Sequence, residues 1–172
     1  MDFINEQVHQ LPAVEDLEWI PVEEDYLKVL RIQWMLGIVA LAVIAAGAMY
    51  MFPVFKTSAG GVALMVAWFI TSLSWYIIMK ESFKRKAYAI RTHDITYRSG
   101  WIMGTIRTVP FSRVQHSNVV SGPLDRKFGL ATLIIYTAGT GSADVKIPGL
   151  TGQKAEEIKE WINKRIADAS GA

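Results

Sequence analysis

Two long stretches of this chain carry no charge, and the part that follows them alternates. Residues Ile32–Phe55 and Thr57–Met79 are uncharged and largely apolar, divided by the single charge of Lys56. Roughly 20 apolar residues wound as a helix match the hydrocarbon thickness of a bilayer. Lipid offers the backbone no water, so only helices and closed barrels cross it. With Pro53 at the junction, the pattern predicts a transmembrane helical hairpin. A helix starting near Val22 would run into the first span, with Glu23, Glu24 and Asp25 at the positive end of its dipole. In an antiparallel hairpin Trp34 and Trp75–Tyr76 fall at one depth, as an aromatic belt requires. Ala59, Ala63, Ala67 and Thr71 recur every fourth position on the second span, a stripe that lets another helix backbone come close. Its partner is either the first span, whose Ala42 and Ala46 offer a matching face, or another subunit. Neither span holds Asp, Glu, Arg or His, which leaves no intramembrane proton relay to propose.

From about Lys86 the period shortens to that of strands. Tyr88–Arg91 and Ile95–Arg98 alternate as half-buried strands do, and Ser99–Gly100 ends the second. Thr105–Phe111 is β-rich, and Pro110 near its end places it at an edge or a bulge. Val114–Val120 follows, then Ser121–Gly122–Pro123 as a break and Leu124–Phe128 as one helical turn. Leu130–Thr137 is the strongest strand and pairs with Ala143–Ile147 across Ala138–Ser142. From Thr151, Ala155, Ile158, Ile162 and Ile166 recur at helical spacing beside Trp161, an amphipathic helix for one face of the sheet. The soluble part is thus six or seven strands and a helix, an α+β or small-barrel arrangement. The chain divides into an acidic arm (1–29), a hairpin (30–80) and a β-rich domain (81–170).

Composition narrows the chemistry. The 172 residues have room for the hairpin and one small domain. Without cysteine, disulfides, thiolate metal sites and cysteine nucleophiles are excluded. The net charge of +2 conceals a segregation, net −6 over residues 1–31 and net +7 over residues 80–127. That puts a basic surface close under the membrane, behind an acidic arm. No basic stretch leading into a short apolar core opens the chain, so no signal peptide is expected. Lys80, Lys84, Arg85, Lys86 and Arg91 follow the second span, Lys28 and Arg31 flank the first, and only Lys56 lies between them. The positive-inside rule then places both termini in the cytoplasm.

Several short motifs in order carry a resemblance. Tyr88–Gly100 resembles the opening strand pair of bacterial pleckstrin-homology-like (PH-like) domains. Val109-Pro110-Phe111-Ser112-Arg113-Val114-Gln115 matches their V-P-x-x-R-[IV]-Q signature, and Gly122-Pro123-Leu124-Asp125-Arg126-Lys127-Phe128-Gly129-Leu130 their G-P-L-x-R-x-F-G-L segment. Thr137–Gly139 and Ile147-Pro148-Gly149-Leu150 complete the set, which covers roughly residues 86–168. The two preceding spans resemble the layout of the YdbS-like membrane members of that family. The resemblance implies a PH-like β-barrel or bent antiparallel sheet capped by a C-terminal helix, without established catalysis. It also implies a bacterial inner (plasma) membrane protein that self-associates or accompanies a related protein with several such domains.

Candidate chemistry is sparse. Lys80, Lys84, Arg85 and Lys86 form a juxtamembrane cluster, each charge worth about 1 kcal/mol near an anionic leaflet. The cluster either sets topology alone or also selects a headgroup. Arg113 and Gln115 flank Val114, and Arg113 is placed to pair with Asp125 or another carboxylate rather than with a ligand. His9, His93 and His116 are dispersed and do not form a metal-ligand set. Ser112, His116 and Asp125 spell a hydrolase triad without a nucleophile elbow or oxyanion loop. Gly139-Thr-Gly141-Ser lacks the Lys and following helix of a phosphate loop, and a hairpin turn accounts for it. Tyr88, Tyr97 and Trp101 accompany the basic segment, yet core filling explains them better than base stacking. No cofactor and no nucleic-acid partner are expected. The residues read as a non-catalytic binding or assembly module on the cytoplasmic face, active in envelope maintenance or stress resistance. An accessory subunit of a transport or channel assembly is the alternative.

Overall fold

The computed structural model describes residues 17–137 and 143–170. The first part of the acidic arm, with His9, and residues 138–142, where the sequence predicts a hairpin turn, lie outside the described residues. Helices α1 (Asp25–Met51) and α2 (Ser58–Lys84) have 27 residues each and are long and apolar enough to cross a membrane. At 1.5 Å per residue each spans about 40 Å against about 30 Å of hydrocarbon, so a turn or two stands clear of lipid. Pro53 cannot continue α1. Phe52 accordingly turns extended (φ −107°, ψ 117°), and its N–H returns to the Ala48 carbonyl at 2.9 Å. After a 3-10 turn over Pro53–Lys56, Thr57 Oγ1 accepts the Gly60 N–H at 3.1 Å and caps α2.

The two helices meet through tryptophans that donate into the opposite backbone. Trp34 Nε1 donates to the Ser72 carbonyl at 3.2 Å, and Trp68 Nε1 to the Ile38 carbonyl at 3.3 Å. The Trp34 and Tyr76 rings lie 5.2 Å apart, as an antiparallel hairpin requires. These bonds set the rotation of α2 and correct the intrachain alternative for the small-residue stripe. Ala59, Ala63, Ala67 and Thr71 are all exposed, while Gly61, Leu64, Trp68, Ser72 and Tyr76 are covered. One position along a helix is about 100° of rotation, enough to carry the stripe off the contact face. Ala42 and Ala46 of α1 line a groove of about 270 Å³ with Leu64 and Trp68 instead of meeting the stripe.

The domain is built from two antiparallel sheets. Strands β1 (Ile20–Pro21), β2 (Ala87–Ile90), β3 (Asp94–Ser99) and β4 (Thr105–Pro110) form the first in that order. Strands β5 (Val114–Val120), β6 (Leu130–Thr137) and β7 (Ala143–Thr151) form the second. A short helix α3 (Pro123–Lys127) links β5 to β6, and α4 (Gly152–Ser170) follows β7. The sheets do not close into a barrel, which corrects that part of the expectation. Pro110 has no N–H to extend a ladder, and a 3-10 turn over Phe111–Arg113 swings the chain into the second sheet. The sheets enclose one core in which Ile95, Leu133, Ile135, Ile147 and Ile162 have no exposed surface. Burying each such side chain contributes about 1.5–3 kcal/mol. Helix α4 lays Ala155, Ile158 and Ile162 on that core, and Trp161 meets Phe111 edge-on at 5.1 Å. On the outer strand β4, Thr105–Thr108 are exposed.

Strand β1 has no signature in the hydrophobic pattern, being two residues long and half proline. It pairs with β2 through Ile20↔Tyr88 and Pro21↔Ala87, just ahead of α1 and just after α2. The Val22 N–H donates to the Lys86 carbonyl at 3.4 Å and the Glu23 N–H to the Gly149 carbonyl at 2.8 Å. Val22 and Val29 are 4% and 0% exposed, so the start of α1 belongs to the packed domain rather than to a free arm. Gly149 takes φ +71° against the Tyr26 ring, and a Cβ there would lie 2.6 Å from Tyr26 Cγ. Approach chain, α2 exit and β7 are thereby locked into one junction at the end of the helical pair.

Candidate membrane-surface anion site

The basic residues at the end of α2 and just after it differ in partner and burial. Lys80 is exposed one turn before the helix end, and Lys84 Nζ pairs with Glu81 Oε1 at 2.6 Å. Arg85 caps α2 in helical conformation, with its N–H on the Ser82 carbonyl at 3.3 Å, and is exposed. Lys86 turns the other way, its Nζ 5.0 Å above the Tyr26 ring. Burial there lowers the Lys86 pKa, because removing water penalises the ammonium. Burial likewise raises the pKa of Tyr88, with Glu23 adding to it. It also raises that of Tyr97, with Tyr26 adding and a hydrogen bond to Ser99 opposing.

Lys84 and Arg85 share a cavity of about 390 Å³ with Arg98, Ser99 and Thr105. Gly100 and Gly104, at the two ends of the β3–β4 turn, and Ile106 complete its lining. Gly100 is at φ +90°, where any Cβ would run into the Met103 carbonyl, so the turn depends on glycine. The register Ala87↔Arg98 sets Arg98 opposite the first residue of β2, three residues after α2 ends, which is how a strand residue comes to face a helix end. Arg98 stacks its guanidinium 4.4 Å from the Trp19 ring centroid. Its Nε is shielded from solvent and has no hydrogen-bond partner. Three basic side chains, two hydroxyls and an open glycine backbone, with Ile106 beside them, line one cavity and make a site for an oxyanion.

The motif residues sit at turns. The Gly122 N–H donates to Asp125 Oδ2 at 3.1 Å with Pro123 opening α3, so Asp125 caps that helix instead of pairing with Arg113. Arg113 and Gln115 are exposed on either side of buried Val114. Arg126 Nε donates to the Ser121 carbonyl at 3.1 Å, half-buried Leu124 and Phe128 lie at either end of α3, and the Gly129 carbonyl accepts the Gly152 N–H at 3.0 Å. Pro148 precedes Gly149 at the junction. His116 stacks on Tyr136 at 4.3 Å, and Asp94 Oδ1 accepts from Arg91 Nε at 2.7 Å. The paper triad of Ser112, His116 and Asp125 thus has its His and its Asp engaged elsewhere. Among the described residues no group of three or more His, Asp or Glu could hold a metal ion.

Sequence reading stopped at Lys86 and missed Arg98, Ser99, Gly100, Gly104 and Thr105. The available signal was Trp101-Ile102-Met103, an apolar triple inside a glycine-bounded turn where polar residues are usual.

Two apolar spans joined to an antiparallel α+β domain with a terminal helix define a membrane protein with a PH-like domain. The chain belongs to the bacterial PH domain family, matching it over residues 28–166. It is 32% identical over 152 residues to the transmembrane protein YdbS of Bacillus subtilis (strain 168), covering 86% of this chain and 93% of that one. No solved structure matches the chain. This is not a known enzyme family.

Proposed function

We propose that this chain is a non-catalytic binding and assembly module, held by its two spans at the cytoplasmic face of the bacterial inner membrane with both termini inside. The observation that carries the reading is the junction. Strand β1 with the residues that follow it, the exit of α2 and Gly149 are hydrogen-bonded together, so the domain is fixed to the ends of the two spans rather than hung on a free tether. Lys28, Arg31, Lys80, Lys84, Arg85 and Arg91 lie on the domain's side of the spans against Lys56 on the other, which supports the sidedness. The partners are the bilayer and either a second copy or a related protein with several PH-like domains. Nucleic acid is not among them. The outward stripe Ala59, Ala63, Ala67 and Thr71 supports the assembly half of the reading, since small residues let backbones approach in lipid. Envelope maintenance or stress resistance is the process this serves.

Reporters fused after Ala172 test the placement. A fluorescent protein there should mature and an alkaline phosphatase stay inactive, and the reverse result refutes it. Ala63→Cys and Ala67→Cys should give disulfide-linked dimers in native membranes. The same outward stripe favours a second reading, an accessory subunit of a transport or channel assembly. Cross-linked products containing a different polypeptide in place of a second copy would select it.

A further inference from the structure

Each sheet has two edges, and three of the four are blunted against pairing with another chain. Strand β1 is two residues long and half proline. Strand β5 carries a register shift between Val114 and His116, and α4 lies against it, with Ser117 Oγ donating to Asn163 Oδ1 at 3.3 Å. Strand β7 contains Pro148, and its Gly149 carbonyl accepts the Glu23 N–H. Strand β4 has none of these devices among the described residues. Its six pairs with β3 run without a shift, its proline is the last residue, and Thr105–Thr108 are exposed. The Phe111 N–H donates to the His93 carbonyl at 2.9 Å, on the β3 side. By alternation the N–H groups of Val109, Arg107 and Thr105 also face β3, and those of Ile106 and Thr108 face outward. Of the six large apolar side chains exposed outside residues 25–84, four lie on this hairpin: Trp101, Ile102, Met103 and Ile106. A bare edge with an apolar fringe is a template for another strand.

We infer that β4 pairs antiparallel with β4 of a second copy about a two-fold axis through Ile106, joining the two four-stranded sheets edge to edge. That register is the self-complementary one. Ile106 faces Ile106 of the second copy, Thr105 faces Arg107, and Gly104 faces Thr108. The outward groups of residues 104, 106 and 108 then exchange roughly six backbone hydrogen bonds. The tip Ile102–Met103 of each copy falls beside the Val109–Pro110 end of the other, which covers the apolar fringe. A two-fold through Arg107 would instead set two guanidiniums directly opposite, a destabilising pair. A two-fold through Thr105 would set Ile106 against Gly104. Arg98 lies one strand in from Ile106, so the Arg98 side chains of the two copies are three strand spacings apart, about 14 Å and beyond the screening length. The axis also suits two chains standing in one bilayer with the same sidedness, because it runs perpendicular to the sheet. Lys84 and Arg85 meet Arg98 and Ile106, which point to the side of the sheet opposite the core residues Ile95, Tyr97 and Val109. The end of α2 is thus displaced from the sheet along the axis, where both copies share one membrane. The inference rests on the assembly reading above and adds to it the surface and the register.

Because the chain has no cysteine, single substitutions in the full-length protein can be linked in native membranes without background from the chain itself. Thr105 and Arg107 form a close, non-hydrogen-bonded pair in this register. Thr105→Cys and Arg107→Cys on differently tagged copies should therefore oxidise to a disulfide with each other, and each should self-link about tenfold less. Ile106→Cys, in the wider hydrogen-bonded pair, should self-link through a short bis-thiosulfonate. Ile106→Asp sets two carboxylates opposite each other and should lower the mixed link about tenfold or more. Ile106→Pro removes an outward N–H that β3 does not use. The far-ultraviolet dichroism of the purified variant should stay unchanged while the mixed link falls by a similar factor. Self-linking at Thr105→Cys as efficient as the mixed link, or a mixed link indifferent to both Ile106 variants, overturns the register. An Ile106→Cys product that contains a different polypeptide overturns the second copy as the occupant. No link at residues 105–107 while Ala63→Cys still gives dimers overturns this inference and leaves the assembly reading standing. No link at any of these positions, Ala63→Cys included, sinks both.

Discussion

Gly149 and Gly129 share a backbone conformation and differ in what surrounds them, which makes them a controlled pair. Both sit in the left-handed region, at φ +71° and +67°. An L-residue there costs roughly 1–2 kcal/mol, partly offset by about 0.4–1 kcal/mol from the stiffer unfolded chain. Around Gly129 a new Cβ meets nothing within 4 Å, so Gly129→Ala should cost about 0–1.5 kcal/mol. At Gly149 the same methyl would lie 2.6, 2.8 and 2.9 Å from Tyr26 Cγ, Cβ and Cδ1. These are near-rigid atoms at the root of the ring, so α1 must move away from β7. Overpacking of this kind adds about 1–3 kcal/mol, bringing Gly149→Ala to about 1–4.5 kcal/mol. Denaturant unfolding of the full-length protein in detergent, followed by near-ultraviolet dichroism, measures both. Tyr26→Ala combined with Gly149→Ala should cost less than the sum of the two single changes, because the small side chain removes the clash. Equal costs at Gly129 and Gly149, or strict additivity of the double change, would refute the claim that Gly149 is required by its contact with Tyr26.

Trp68→Phe removes the donor to the Ile38 carbonyl and should weaken the helical pair by about 0.6–1.5 kcal/mol, measured by titration from mild detergent into dodecyl sulfate. Ile162→Ala empties the place where α4 meets the second sheet and should cost about 2–5 kcal/mol in the same unfolding assay as the glycine pair. Burial lowers the Lys86 pKa from 10.5, so between the lowered value and 10.5 the unfolded chain binds the extra proton. Stability should therefore rise with pH through that window. Lys86→Met should flatten the rise, and an unchanged slope would assign it to other groups.

The elements set by local pattern were legible before any contact was known. Residues 32–79 announce two bilayer-length helices by their run of uncharged side chains. Ala155, Ile158 and Ile162 announce α4 by their spacing, and Pro110 marks β4 as an edge strand or a bulge. What the pattern did not convey concerns rotation and register. The rotation of α2 follows from two indole donors, Trp34 and Trp68, reaching carbonyls 38 and 30 residues away in sequence. Neither residue differs in composition from an interfacial tryptophan. Pro110 reads equally well as a bulge inside a closed barrel, and only the departure of the chain into β5 shows that closure fails.

The candidate site divides the same way. Lys84 and Arg85 stand out in sequence as charges after a span, and a charge needs no partner to be noticed. Arg98 looks like any outward strand residue until Ala87↔Arg98 pairing sets it against the helix end. Lys86 looks like a third surface charge until the Tyr26 ring covers it. By itself the sequence determined that this protein has two bilayer-length helices, a β-rich domain and a basic segment between them, because length, periodicity and charge are properties of neighbouring residues. Only the tertiary structure decided which face of α2 meets α1, that two residues of the acidic arm extend the sheet, and that the glycines of the β3–β4 turn and three cations share one cavity. Those outcomes depend on groups far apart in the chain, whose meeting is governed by packing and register and is encoded in no single stretch.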